Sequence, residues 1–278
     1  MIPPRGFVHA GPVAHPEQDV ARIPAHWLFA RLGKRVLRPG GMAMTNEMLR
    51  ALTIQPSDDV IEFAPGLGGT ARLALAARPA SFIGIEANQQ AARVARDHLT
   101  STTRIIVRNA DDTGLESETA SVVYGEALLT LQRPAKKRSM VNEAHRLLCT
   151  GGRFGIHELA LVPDDIPEFD RQIVSRDLKT VLRGGALPTT PNEWRLLLEA
   201  RGFEIQTELV GPVRFLEPGQ LLADEGAIGA LRVAWNLSRD RAARARIIRV
   251  RRMIRRHAKA LASIVIVARK VSSPAPHV

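Results

Sequence analysis

The segment Glu62-Phe63-Ala64-Pro65-Gly66-Leu67-Gly68-Gly69 is the part of this 278-residue chain whose residue types and spacing could do chemistry. Gly66 and Gly68 let the backbone turn tightly and come close to a ligand, because no Cβ stands in the way. A helix opening just after them would aim free N–H groups and a positive dipole end at a polar ligand. Taken alone, the run also fits a nicotinamide dinucleotide, since Gly66-Leu67-Gly68-Gly69-Thr70-Ala71 follows the pattern Gly-x-Gly-x-x-Ala. Further acids recur downstream: Glu86, then Asn109-Ala110-Asp111-Asp112, then Tyr124-Gly125-Glu126-Ala127, then the pair His157-Glu158. A carboxylate can accept two hydroxyl hydrogen bonds at once, and a histidine or carboxylate can act as general base.

These residues need elements to hold them, and the hydrophobic pattern supplies alternating strands and helices. Strands are predicted at Asp59–Phe63, Ser81–Glu86, Arg104–Val107, Ala120–Tyr124, Arg153–His157, Phe203–Val210 and Ile264–Ala268. Helices are predicted at Gly69–Ala77, Asn88–Leu99, Lys136–Leu148, Glu168–Leu182 and Glu193–Ala200. Ahead of the first strand, His26–Leu37 reads as an amphipathic helix ended by Gly40-Gly41, and Thr45 as the N-cap of a short helix to Leu52. After Val210 the alternation stops, and Leu221–Leu237 and Arg241–Leu261 read as two helices. The expected fold is α/β: a doubly wound, seven-stranded, mostly parallel sheet with an antiparallel last strand and a helical insertion before it. The expected organisation is a loose arm over 1–25, covering helices over 26–52 and a core over 53–160. Acceptor-side helices and the sixth strand follow over 161–210, then a helical lid over 211–262 and the last strand and tail over 263–278.

The order of these features resembles the class I, Rossmann-like methyltransferases that use S-adenosylmethionine (SAM), of the small-molecule type. The resemblance runs from about Val60 to Glu158, with weaker agreement to Arg269. It rests on Glu62 four residues before Gly66, on Leu147–Phe154 leading into the fifth strand, and on a final pair of strands at the sheet edge. It implies SAM as cofactor. The loop Glu62, Ala64, Pro65, Gly66 and Gly68 would wrap the methionine part, with Ala64 standing where the family has its first glycine. Glu86 would accept both ribose hydroxyls, with Ala87 and Asn88 beside the adenosine. Ala110, Asp111 and Asp112 match the place where an acid takes the adenine amino group, Asp111 first. Tyr124–Ala127, including Glu126, would floor the methyl-donor site.

Methyl transfer to a hydroxyl calls for a base at the carboxyl ends of strands four and five, where ligands of open α/β sheets bind. The candidates are His157 first, with Glu126 and Glu158; His26 and His257 stand further from the motif. Acceptor choice should come from 26–52, 161–192 and 211–262, with Trp194 and Trp235 as lining or core residues. The expected acceptor is a small molecule, a hydroxyl or carboxylate oxygen being favoured.

Net charge is +11, but Arg239–Lys259 alone carries +9, leaving +2 for the remainder. That stretch fits a solvated face in a chain with 33 Arg and 6 Lys, an anionic acceptor held by guanidinium forks, or an RNA or membrane-surface contact. The absence of aromatics between 236 and 261 disfavours nucleic acid. An RNA-directed methyltransferase and an NAD-dependent oxidoreductase are the alternative readings. The single Cys149 excludes an internal disulfide and a multi-cysteine metal site. No apolar run approaches the roughly 18 residues of a membrane span, and no signal-peptide pattern is seen at the start, so a cytoplasmic protein is expected. The oligomeric state is left open.

Overall fold

The computed structural model describes residues 25–34, 38–99, 103–182, 186–214 and 217–271. The arm expected over 1–25 lies, apart from Ala25, outside them, as does the side chain of His26. In chain order the elements are α1 (Ala25–Leu32), α2 (Gly41–Leu52), β1 (Asp59–Phe63), α3 (Ala71–Leu75), β2 (Ser81–Ile85), α4 (Gln89–His98), β3 (Thr103–Ile106) and β4 (Ala120–Glu126). A short 3-10 turn at Leu129–Leu131 precedes α5 (Pro134–Leu147), β5 (Leu148–Leu161), α6 (Glu168–Leu182), α7 (Pro191–Glu199) and β6 (Phe203–Pro212). The chain then continues through α8 (Pro218–Arg239), α9 (Arg241–Arg256) and β7 (Leu261–Lys270).

The seven strands form one sheet in the order β3-β2-β1-β4-β5-β7-β6. β3, β2, β1, β4 and β5 are parallel, and β7 runs antiparallel to both of its neighbours, β5 and β6. The last strand is therefore not at the edge. It is wedged between β5 and β6, which explains its nearly unbroken run of buried residues from Leu261 to Ala268.

Each face of the sheet is closed by its own helices. Met48 and Leu52 of α2 and Ala71 and Ala74 of α3 pack on Val60, Val122, Tyr124 and Val265. On the other face, Val141, Ala144 and Leu147 of α5 and Trp194 and Leu198 of α7 pack on Ile61, Val123, Phe154 and Ile266. Trp194 is thus a core residue, its indole N–H donating to the Leu159 carbonyl at 3.0 Å. Beyond the sheet, α1, α8 and α9 meet through Leu28, Leu32, Val233 and Ala243, and α6 meets α9 through Leu178 and Met253.

Several boundaries differ from expectation. Gly40-Gly41 opens α2 rather than ending the helix before it: Gly40 is the N-cap, and Thr45 lies one turn inside the helix. Thr45 gives its hydroxyl to Glu126 instead of capping. β5 runs from Leu148 to Leu161, so the Gly151-Gly152 pair lies within the strand, where Gly151 has φ +81° and the pairing with β4 shifts register. α9 ends at Arg256, and Leu261 belongs to β7. In each case a strand's ladder partner or a buried carboxylate overrode the local pattern.

Leu52 is fully buried, and its side chain packs within 3.0 Å of where a Cβ on Gly155 of β5 would fall. Leu52→Ala is expected to cost about 2–5 kcal/mol, read as a lower urea midpoint at unchanged slope.

Candidate active site

Strand alternation sends Glu62, Tyr124, Glu126 and His157 to the α2 face of the sheet: Glu62 pairs with Tyr124, and Glu126 with His157. Glu126 ends β4 and is almost fully buried, so its carboxylate must find donors. His157 Nδ1 donates to Oε1 at 2.6 Å, and Thr45 Oγ1 donates to the same oxygen. Thr70 Oγ1 donates to Oε2 at 2.5 Å, and Arg38 Nε lies 3.8 Å away. Burial by itself would raise the pKa of Glu126, but His157, Arg38 and Thr45 together hold it below the ordinary value. His157 Nε2 accepts from the Gly40 N–H at 2.9 Å, so the ring proton resides on Nδ1 and the lone pair is taken.

Glu158, the next residue, faces the opposite side of the sheet. It is fully buried and accepts from the N–H groups of Leu128, Leu129 and Thr130 and from the Thr130 hydroxyl at 2.6 Å. Burial raises its pKa in spite of those donors. It shapes the turn after β4 and is separated from the site by the sheet. His257 caps the end of α9 and pairs with Asp177 at 2.8 Å.

The glycine loop carries strain where the sequence has no glycine. Ala64 has φ +54°, and Ala127 at the end of β4 has φ +52°. Left-handed backbone costs an alanine about 1–2 kcal/mol, and such strain clusters at functional sites. Gly66 has φ +56°, and a Cβ built there would meet nothing within 4 Å. Open space thus lies against the loop. Gly68, at φ +77°, packs on Leu99.

Glu86 lies directly after β2. Its Oε2 accepts from the Gly66 N–H at 3.0 Å and its Oε1 from the Asn88 N–H at 2.9 Å. Burial raises its pKa, against those two amides. Asn88 is the N-cap of α4, accepting from Ala91 N at 2.8 Å, and Ala87 stands between the two. Past β3, Ala110 is buried, Asp111 is sheltered and pairs with Lys136 at 2.9 Å, and Asp112 is exposed. Glu62 Oε2 is buried with no hydrogen-bond partner. Burial, with Glu126 and Glu86 nearby, pushes Glu62 up to about 8, outweighing the opposing influence of Tyr124 and Arg38.

The sequence reading missed a second buried charge. Asp224 of α8 has a fully buried side chain and pairs with Lys34 Nζ at 2.6 Å and Arg38 Nη1 at 3.0 Å. Arg38 Nη2 also reaches Thr70 Oγ1 at 3.3 Å. Arg38 therefore links Glu126 to the insertion, across residues far apart in sequence. No local pattern marks that link; only the adjacency of Lys34 and Arg38 to Gly40-Gly41 was visible.

Residues 61–156 match the model of a family described as "Methyltransferase domain". These residues form a methyltransferase domain of the class I, SAM-dependent kind. Its cofactor is SAM. An uncharacterized protein of Haemophilus influenzae is 27% identical over 217 residues, covering 76% of this chain and 84% of that protein. Among solved structures, MccD aligns with a TM-score of 0.65 at 17% identity, over 84% of this methyltransferase and 99% of MccD. Haemonchus contortus phosphoethanolamine N-methyltransferase 2, in complex with phosphomonomethylethanolamine and S-adenosylhomocysteine, aligns with a TM-score of 0.65 at 15% identity, over 89% and 56% of the two chains. Geranyl diphosphate methyltransferase aligns at 0.60 with 15% identity, over 82% and 77%. These structural likenesses speak to the fold.

The residues present fit the cofactor. A carboxylate fixed by two backbone amides retains lone pairs for a diol, the Gly66 turn leaves room, and the orphaned Glu62 oxygen lies near the end of β1, just before that turn.

Two outcomes are expected of this methyltransferase. An unfolded glutamate loses its proton near 4.5, while folded Glu62 keeps it to about 8. Its contribution to stability is therefore full below 4.5 and is lost as pH rises through about 8. Thermal melts across that window should show wild-type stability falling relative to Glu62→Gln, by on the order of a few kcal/mol; parallel curves would refute the proton on Glu62. Ala64→Gly should relieve the left-handed strain and raise stability by roughly 0.5–1 kcal/mol, measured by chemical denaturation.

Proposed function

We propose that this methyltransferase transfers the methyl group of SAM to an oxygen of a small, anionic acceptor, with a carboxylate oxygen preferred. The observation that carries the cofactor placement is Glu86, whose carboxylate ties the Gly66 turn to the start of α4 beside open space. In this reading Glu86 takes the ribose hydroxyls, Ala87 and Asn88 flank the adenosine, and Asp111 serves the adenine edge. Glu62, Ala64, Pro65, Gly66 and Gly68 wrap the methionine part, and Glu126 floors the site.

When bound, SAM supplies a sulfonium whose methyl group is electrophilic. The protein has to place the acceptor oxygen in line with that methyl, hold it and exclude water. The hydrogen bonding of the two candidate bases favours an acceptor that is already an anion. The His157 lone pair is taken by Gly40, and both Glu126 oxygens already accept from hydroxyl or N–H donors. A carboxylate needs no proton removed, so Glu126 and His157 act here as positioning residues that fix α2 over the site.

A pocket of about 220 Å³ supports the anionic character. It is lined by Arg214 after β6 and Arg251 and Arg255 of α9, with Glu217 as its one acid and Val213, Ile254 and Leu261 as apolar wall. Guanidinium forks suit carboxylate and phosphate groups. Two of the structural neighbours have phosphorylated small molecules in their names, phosphomonomethylethanolamine and geranyl diphosphate, which agrees with an anionic acceptor.

Isothermal titration with S-adenosylhomocysteine is expected to show micromolar binding that Glu86→Ala weakens by about tenfold or more, with no heat from NAD. Undiminished affinity in Glu86→Ala would remove the assigned role. A screen of small carboxylates and hydroxyl acids should give turnover that Arg251→Ala slows chiefly through a higher KM; equal turnover on neutral acceptors would overturn the anionic preference.

A further inference from the structure

The insertion presents an outer surface that the methyltransferase chemistry does not use. Gly226 has non-helical backbone, φ +69° and ψ 175°, and divides α8 into two pieces. On the second piece Ala227, Ile228, Leu231, Ala234 and Trp235 recur at helical spacing, and all five are exposed. The large ones are exposed to an unusual degree: Ile228 73%, Leu231 70% and Trp235 62%. The inward face of the same piece is already occupied, with Val233 buried against Leu28, Leu32 and Ala243. A contiguous outer stripe of this kind marks an interaction surface.

The charge around the stripe says what covers it. Between Gly226 and Lys259 the only acid is Asp240, which caps α9 by accepting from Ala243 N at 2.8 Å. Asp224 and Glu225, just before the kink, are buried. Arg239 lies over the Trp235 ring at 5.4 Å, and Arg244 donates to the Leu237 and Ser238 carbonyls at the end of α8. Arg241, Arg249 and Arg252 are exposed along α9, with Ile248 half-exposed among them. The apolar stripe thus leads into a field of guanidinium groups almost free of carboxylates. Two copies meeting through it would bring like charges together. RNA would have no use for an aliphatic stripe. An anionic lipid surface satisfies both parts, taking Ile, Leu and Trp into the acyl boundary and the arginines among the headgroups.

We infer that the second half of α8 and the outer face of α9 form a docking surface for an anionic membrane, with Ile228, Leu231 and Trp235 as the inserted residues and Arg239, Arg241 and Arg249 as headgroup contacts. The chain has no helix long and apolar enough to cross a membrane among its described residues, so the contact is peripheral. The inference stands independently of the acceptor proposed above.

The test is co-sedimentation of the full chain with extruded vesicles of phosphatidylcholine alone or with one third phosphatidylglycerol, at about 0.1 M salt, where charges act over about 10 Å. Binding to the anionic vesicles is expected, with little to the neutral ones, and with a blue shift in tryptophan emission that Trp235→Phe abolishes. Ile228→Ser with Leu231→Ser should lower partitioning about tenfold or more, as should Arg241→Glu with Arg249→Glu. Unchanged S-adenosylhomocysteine binding and melting temperature would show that both variants are folded. No binding to anionic vesicles overturns the inference. So does binding that the Ile228 and Leu231 substitutions leave unchanged, which would indicate a purely electrostatic, RNA-like contact. A wild-type dimer that those substitutions dissolve, without vesicle binding, would instead assign the stripe to a second copy.

Discussion

Glu126 ends the central strand of the sheet with its carboxylate buried, and a buried carboxylate left without donors would cost several kcal/mol. Its donors come from separate parts of the chain, Thr45 from α2, Thr70 from the start of α3 and His157 from β5, and Arg38, from the stretch before α2, adds its positive charge at 3.8 Å. Satisfying that one group fixes the covering helix α2 on the sheet. Arg38 then carries the constraint outward, because the same guanidinium reaches Asp224 of α8. Breaking such a pair by removing one partner leaves the other charge buried and unpaired, typically about 3–5 kcal/mol. The cofactor side of the sheet and the helical insertion are thus positioned by one ionic chain. That makes Arg38 and Asp224 structurally important without requiring either to touch the reacting atoms.

The strain of the loops around the site fits this picture. Ala64 and Ala127 both hold left-handed backbone, at the ends of adjacent strands β1 and β4. Each is held by a hydrogen bond from its own N–H, Ala64 to Ile85 and Ala127 to His157. Ladder bonds of this sort are what allow a non-glycine residue to persist where glycine would be at ease. The outcome is a turn at Gly66 that faces open space and is anchored from below by Glu86.

The insertion divides its arginines between tasks. Arg246 is buried, Arg251 and Arg255 turn toward the pocket beside β6 and β7, and Arg241, Arg249 and Arg252 face outward. A single helix can do this because residues three or four apart share a face and those between do not. The basic stretch, which looks uniform in one dimension, is therefore three surfaces in three dimensions.

The sequence by itself determined the strand and helix order, the position of the glycine loop and the family. Those features are local: alternation, glycine spacing and a strand-ending acid lie within short windows, and Asp59–Phe63 and Glu168–Leu182 match the structure residue for residue. It also placed Glu62, Glu86, Glu126 and His157 at strand ends, which the sheet register then brings to one end of the molecule. What only the tertiary structure decided is which partner each of those groups has. His157 gives up its lone pair to Gly40, Glu158 turns away to the other face, and Gly40-Gly41 begins a helix instead of ending one. The wedging of β7 between β5 and β6, and the Lys34–Asp224–Arg38 chain, belong to the same class. The physical reason is that a buried charge is satisfied by whatever donor the fold brings within about 3 Å, and that donor can lie 190 residues away.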